Sequence, residues 1–192
     1  MESGEKILSP QESLQVITEA INRTKENYKE NSFYFTLWGW LIATASLSFF
    51  LLHEYTTFQY YFLPFPVLVT AGIITTLLSY SKRKSISRTE TYLSYFFSRL
   101  WLVLGISFVV IVFINVSQKL PPFTYTLLLA GIGTLISGLV MKFNPLKIGG
   151  ILFFISSIVC IYLPDGYKPL LSFIAIIAGY LIPGYLLKSS QS

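Results

Sequence analysis

Charged residues are scarce in this sequence, and their distribution is uneven. Only 12% of the 192 residues are Asp, Glu, Lys or Arg, whereas an average soluble domain has about a quarter. Six segments of 17 to 27 residues contain no such residue and no histidine, namely 31–52, 55–81, 100–118, 120–141, 148–164 and 169–187. A helix needs roughly 20 apolar residues to cross a bilayer. The sequence therefore excludes a water-soluble globule and predicts an all-α, polytopic transmembrane helical bundle.

Residues that carry chemistry are also few. The chain has one cysteine, one histidine and one aspartate, while a protein zinc site needs three or four such ligands brought together. His53, Glu54 and Asp165 in the predicted outer turns form only a weak zinc candidate. Cys160 lies inside an apolar run without a partner for an intramolecular disulfide, so we interpret it as a small buried apolar residue. We predict no catalytic, cofactor or metal site, and we expect no enzyme.

Lysine and arginine indicate which connections are cytoplasmic, because basic residues in short loops stay on that side of the membrane. We predict six spans, at about 31–52, 60–80, 98–117, 123–141, 148–164 and 169–187. With a cytoplasmic N-terminus, only Lys119 and Lys168 of the 14 basic residues then lie outside. If the 17-residue fifth run did not cross the membrane, twelve basic residues would still lie inside and two outside. Charge thus does not place the C-terminus, and we prefer six spans because a partial crossing leaves backbone groups without partners in lipid.

The six predicted spans form three hairpins, at 31–80, 95–141 and 148–187, each with proline in its outer turn. The second helix of every hairpin carries an Ala-Gly pair, at Ala71-Gly72, Ala130-Gly131 and Ala178-Gly179. This pattern is expected of a repeated two-helix unit with parallel topology. The alternative, which we favour, is that Ala-Gly pairs are simply common in membrane helices.

Small residues recur at spacings of four in two of the spans, which places them on one helix face where a neighbouring backbone can come close. The residues that we predict to mediate helix packing are Gly131, Gly133, Ser137, Gly138, Ala175 and Gly179. We interpret these faces as the packed interior of the bundle. A homodimer interface is the alternative, since the same motifs also mediate association between chains.

The first 30 residues are polar and predict a cytoplasmic amphipathic helix without a cleavable signal, followed by the transmembrane domain at 31–192. Ser9 and Pro10 form a helix start signal. The apolar residues that recur at helical spacing after it are Leu14, Ile17, Ile21 and Tyr28. The opposite face mixes acidic and basic residues, whereas a lipid-binding helix has a mostly basic face. We expect this stripe either to pack on the protein's own cytoplasmic loops or to bind a protein partner.

A basic cluster connects the second and third predicted spans, and it consists of Lys82, Arg83, Lys84 and Arg88. Each cation near an anionic membrane surface attracts lipid by about 1 kcal/mol. Basic loops also determine topology without any ligand. We interpret the cluster as a topology determinant, with anionic lipid binding as the alternative. It does not indicate nucleic-acid binding, because it is short and held at the membrane.

The predicted spans have no ionisable residue near their middle, whereas proton and sodium pathways usually depend on such residues. Our leading hypothesis is a scaffold, subunit or regulator that acts through cytoplasmic protein contacts. The partners it implies are the lipid bilayer, a cytoplasmic protein and, as an alternative, a second copy of the chain. The second hypothesis is a small-solute channel or transporter without ion coupling, lined by hydroxyl residues such as Thr134 and Ser137.

Three stretches resemble an uncharacterised family of small polytopic bacterial integral membrane proteins. They are ESLQVITEAINRTKENYKENSFYFTLWGWL, GIGTLISGLVMKFNPLKIGGILFF and GYLIPGYLLK. The resemblance implies a multi-pass protein of the bacterial inner membrane. It implies no activity and assigns no functional residue.

Overall fold

Helices make up almost all of the described structure. The computed structural model describes residues 10–86 and 92–189, with side chains described at 11–12, 32–79, 81 and 92–189. Within these stretches it contains helices and turns and no β-strand. The all-α class predicted from the sequence is confirmed.

Six helical stretches follow one another in the described chain. Five are continuous, namely α1 (Pro10–Tyr55), α2 (Pro64–Ile86), α3 (Tyr92–Ser117), α4 (Phe123–Val140) and α5 (Asn144–Tyr162). The sixth, called here the last helix, combines a 3₁₀ turn (Asp165–Tyr167), α6 (Lys168–Ile176), a π-helical turn (Ile177–Leu181) and α7 (Ile182–Ser189). α1 is described from Pro10 onward, so the start signal at Ser9 and Pro10 stays a prediction.

Five of these stretches are long and apolar enough to cross a membrane. They are Ser32–Tyr55, Tyr92–Ser117, Phe123–Val140, Asn144–Tyr162 and Asp165–Ser189. The fifth predicted run, which at 17 residues is at the lower limit for spanning, lies in a 19-residue helix that is long enough to cross. The shorter apolar stretch is instead the second, Pro64–Ser79, because residues 60–63 form turns before α2 begins. The described chain thus has the helices of a multi-pass membrane protein.

Two lysines end helices in the left-handed backbone conformation that glycine usually adopts. Lys119 after α3 has a φ of 59°, and Lys142 after α4 has a φ of 52°. After α4, the N–H of Phe143 donates to the carbonyl of Gly138 and the N–H of Lys142 donates to that of Leu139. These two bonds form a Schellman motif. The tight turn that results leads directly into α5.

Neighbouring helices run antiparallel, as residue pairs along their interfaces show. Between α1 and α2, Trp38 donates to the Thr76 hydroxyl at 3.2 Å, while further along α1 the rings of Phe49 and Phe65 lie 5.9 Å apart. Residues 32–40 of α1 also adjoin residues 180–185 of the last helix, and Phe50 adjoins Tyr167. The α1–α2 pairing agrees with the first predicted hairpin.

The bundle has a four-helix centre and two peripheral helices. The centre consists of α1, α4, α5 and the last helix, while α2 packs on α1 and α3 packs on α4. The most extensive pairing joins α4 to α5, which the sequence placed in different hairpins. The basic end of the bundle is defined here by residues 32–40, 141–147 and 182–189, and the proline end by residues 53–66, 118–123 and 163–169. Each end has its own buried apolar cluster, one around Met141 and Leu146 and one around Phe123.

Candidate functional site

The last helix is interrupted where it passes the centre of the bundle. In the π-helical turn the N–H of Ile182 donates to the carbonyl of Ile177, five residues earlier. Pro183 follows, which has no N–H and whose ring excludes a regular bond to the carbonyl of Gly179. π-helical turns are rare and occur often at functional sites. The turn therefore has a local cause in the sequence and is a candidate site.

At this interruption the backbone of the last helix touches α5. A Cβ atom placed on Gly149 would collide with the Gly179 carbonyl group and lie 2.9 Å from its carbon atom. A Cβ atom placed on Gly179 would in turn lie 3.0 Å from the carbonyl oxygen of Gly149. Two backbones come this close only when both residues lack a side chain. The pair of glycines thus fixes the position of the interrupted segment.

The π-helical turn directs Tyr180 toward aromatic side chains from three other helices. Its ring centroid lies 4.8 Å from that of Phe35 on α1, 6.1 Å from Trp101 on α3 and 6.4 Å from Phe153 on α5. These distances are typical of favourable aromatic pairs, which contribute about 0.5–1.5 kcal/mol each beyond area burial. Tyr180 therefore connects the last helix to most of the bundle.

The glycines of α4 face two different helices. A Cβ atom on Gly138 would lie 2.6 Å from the backbone nitrogen of Lys147, and one on Gly131 would lie 3.2 Å from the carbonyl oxygen of Gly150. Both positions face α5. Gly133 faces α3 instead, where a Cβ atom would lie 2.6 Å from Leu104 and 3.0 Å from Trp101. Glycine thus allows α4 to approach both neighbours closely.

Three hydroxyl groups inside the bundle are fully buried without a hydrogen-bond partner among the described residues, namely those of Ser46, Thr134 and Ser137. Two further buried hydroxyls are paired. The Ser157 hydroxyl donates to the Thr124 carbonyl and the Ser32 hydroxyl donates to the Gly184 carbonyl, both at 2.9 Å. Thr134 and Ser137 lie three residues apart on one face of α4. These two groups can donate to or accept from a small polar species.

The residues predicted to mediate helix packing all lie inside the bundle. Gly131, Gly133, Ser137, Gly138, Ala175 and Gly179 are buried. Gly149 and Gly150 are also buried but were not predicted, although two consecutive glycines in an apolar run are a visible signal. Pro183 followed by Gly184 predicts that the sixth span is interrupted, but it does not predict that the interruption is a π-helical turn.

Two other predicted groups lie outside the described side chains. The backbone of Leu14, Ile17, Ile21 and Tyr28 belongs to α1, and that of Lys82, Arg83 and Lys84 belongs to α2. Their side chains are not among those described, and neither is any part of Arg88. The partner-binding stripe and the lipid or topology role of the basic cluster therefore remain predictions.

The weak zinc candidate lies at the proline end. The His53 Nδ1 atom lies 3.8 Å from the Glu54 carboxylate, and the Lys168 ammonium group lies 2.7 Å from the carboxylate of Asp165. Gly166 adjoins both His53 and Glu54. Within residues 10–86 and 92–189, no three His, Cys, Asp or Glu side chains are grouped so as to hold a metal ion.

The fold and these contacts define a multi-pass α-helical membrane protein with a closely packed centre and one interrupted helix. Its first helix extends well beyond the membrane-length stretch Ser32–Tyr55. No protein-family model, curated protein sequence or solved structure matches the chain.

Proposed function

We propose that this chain is a non-enzymatic integral membrane protein that acts as a scaffold, subunit or regulator by binding a cytoplasmic protein. The observation that carries the proposal is the length of α1. It has 46 residues, of which Ser32–Tyr55 are sufficient to cross the membrane. Residues 10–31 continue the same helix for about 33 Å at 1.5 Å per residue.

α1 runs without interruption from residues 10–31 into the bundle, so binding at residues 10–31 can affect the packing of the bundle. Where α1 enters the bundle, the Ser32 hydroxyl donates to the carbonyl of Gly184 in the last helix, and Phe35 packs against Tyr180. A partner bound to residues 10–31 would therefore act on a helix whose next turns contact the interrupted segment. This arrangement suits a subunit that recruits or senses a protein.

We further propose six crossings, with both termini in the cytoplasm of a bacterial inner membrane. The twelve-to-two division of basic residues supports a cytoplasmic N-terminus, and the membrane-length helix Asn144–Tyr162 supports the fifth crossing that brings the C-terminus to the same side. The pairing of α2 with α1, from Phe49 and Phe65 to Trp38 and Thr76, supports a crossing by α2. The 23 residues of α2 span about 34 Å, which is enough to cross the hydrocarbon core of a bilayer.

The test of the proposal is a set of changes on the stripe. Replacing Leu14, Ile17 and Ile21 together by Ser should abolish co-purification of the protein partner from mild detergent, because apolar anchors contribute most of a helix-in-groove interface. Membrane insertion and thermal stability should be unchanged. The matched control replaces the neighbouring Gln15, Thr18 and Asn22 by Ser and should retain the partner. Loss of the triple apolar variant from the membrane, or much earlier melting, would show that the stripe packs on the bundle itself.

The two unpartnered hydroxyls of Thr134 and Ser137 favour one second candidate, a small-solute channel or transporter without ion coupling. Buried polar groups without partners are unusual in proteins and call for an explanation. Under this candidate, reconstituted liposomes should swell in small neutral solutes faster than empty liposomes. Changing Thr134 to Val and Ser137 to Ala should slow the swelling. Equal rates with and without the protein would exclude it.

A further inference from the structure

An exposed aromatic pair lies on the surface of the bundle at its basic end. The indole N–H of Trp40 on α1 donates to the hydroxyl oxygen of Tyr185 on α7 at 2.8 Å. Trp40 is 53% exposed and Tyr185 is 48% exposed. The phenol oxygen accepts in this bond, so its own O–H remains able to donate. No described residue accepts that hydrogen.

A shallow hollow adjoins the pair. It is lined by Tyr185, Leu186, Lys188 and Ser189. The Ser189 hydroxyl is engaged by the carbonyl of Leu186 at 3.1 Å. Lys188 is exposed and lies three residues after Tyr185, on the same side of the helix. Tyr185 and Lys188 therefore place two donors on one side of α7, both lining the hollow.

The surroundings of the hollow combine positive charge with apolar surface. Leu187 packs with Met141 and Leu146, which brings the lysine-bearing turn between α4 and α5 close to the last turn of α7. In contrast, the carboxylates of Glu54 and Asp165 lie at the proline end. Along α7 the side chains of Ile182 and Leu186 are 52% and 45% exposed. An occupant should thus carry a negative group and an apolar chain.

We propose that this hollow binds an anionic phospholipid, independently of the proposed function. The lipid phosphate accepts hydrogen bonds from the Tyr185 hydroxyl and from Lys188, and an acyl chain lies along Ile182 and Leu186. The position favours lipid over a soluble anion, since the hollow lies at the end of the membrane-length stretch Asp165–Ser189. Tryptophan and tyrosine favour the same headgroup depth. Lys188 favours an anionic lipid because it repels the cationic group of a zwitterionic one.

The test measures lipid binding to the purified full chain by native mass spectrometry with phosphatidylglycerol and phosphatidylcholine. We expect the first phosphatidylglycerol molecule to bind about fivefold more tightly than the first phosphatidylcholine molecule, because one cation near a membrane surface contributes about 1 kcal/mol. Lys188→Gln should remove this preference, and Tyr185→Phe should weaken phosphatidylglycerol binding. The matched controls at the proline end, Lys119→Gln and Tyr162→Phe, should leave both affinities unchanged.

Three results would overturn the proposal. The first is equal affinity of the unmodified chain for the two lipids. The second is a preference that survives Lys188→Gln, which would leave Lys188 only the role of offsetting the helix dipole. The third is loss of bound phosphatidylglycerol to competing inorganic phosphate at millimolar concentration, which would identify the hollow as a site for a soluble anion.

Discussion

Glycines in this bundle differ in how much space lies beside them for a side chain. Gly149 lies against the backbone of Gly179, so an added Cβ atom has no room. Gly105 on α3 has no neighbouring atom within 4 Å of the same position. Both glycines occur in apolar runs of the sequence. Their difference arises from which helix passes next to each.

The contrast predicts opposite effects of the same substitution. Gly149→Ala should lower the free energy of unfolding by about 1–3 kcal/mol, because the added methyl group forces two backbones apart. Gly105→Ala should leave it unchanged or raise it by up to about 1 kcal/mol, since alanine is the better helix former. Thermal unfolding of both variants in detergent measures the difference. Equal melting temperatures would contradict the close contact between Gly149 and Gly179.

Pairs of helices show why the three-hairpin description of the sequence is incomplete. The Gly72 position of the first Ala-Gly pair contacts Trp38 and Leu41 of the preceding helix, as expected for a hairpin. Gly131 of the second pair contacts Phe154 of the following helix, α5. Gly179 of the third pair contacts Gly149 of the preceding helix, as Gly72 does with its own. The second Ala-Gly pair thus differs from the other two in the helix that it contacts. Local spacing does not tell which of two neighbouring helices a small residue will face.

The pairing of α1 with α2 predicts a specific cross-link. In a Cys160→Ala background, Leu41→Cys together with Gly72→Cys should form a disulfide on mild oxidation, because the two positions face each other: the Cδ1 atom of Leu41 lies 2.8 Å from a Cβ atom placed on Gly72. The control pair, Leu41→Cys with Gly105→Cys, should not cross-link. Mobility on a gel with and without reductant distinguishes the two. A cross-link in the control pair alone would contradict the observed arrangement.

For the molecule as a whole, the central helices and the peripheral helices have different surroundings. In the most apolar 18-residue segment of α3, only 11% of the residues are buried inside the protein, whereas the corresponding share in the last helix is 44%. α3 is also the most apolar of the five membrane-length stretches. A helix that exposes apolar side chains on most of its surface is stable in lipid and not in water. The bilayer therefore completes the packing of this fold.

The proposed topology predicts the location of each connection. A fluorescent protein fused after Ser192 or after Lys142 should fluoresce, while alkaline phosphatase fused at these positions should be inactive, because both positions are cytoplasmic under six crossings. Alkaline phosphatase fused after Lys119 should be active. Active phosphatase after Ser192, with the other results unchanged, would remove one crossing and leave five.

The sequence alone determined the class of this protein. Long runs without charge require helices in a bilayer, because backbone groups in lipid must be paired within the segment. These features depend on residues that are near one another in the chain.

The tertiary structure decided which helices meet and where they approach most closely. It paired α4 with α5, placed Gly149 against Gly179, and brought Tyr180 among aromatic rings from α1, α3 and α5. It also joined Trp40 to Tyr185 across 145 residues of sequence. Such contacts depend on the rotation and register of whole helices. Helical periodicity shows which residues share a face, while only the packed bundle determines what that face contacts.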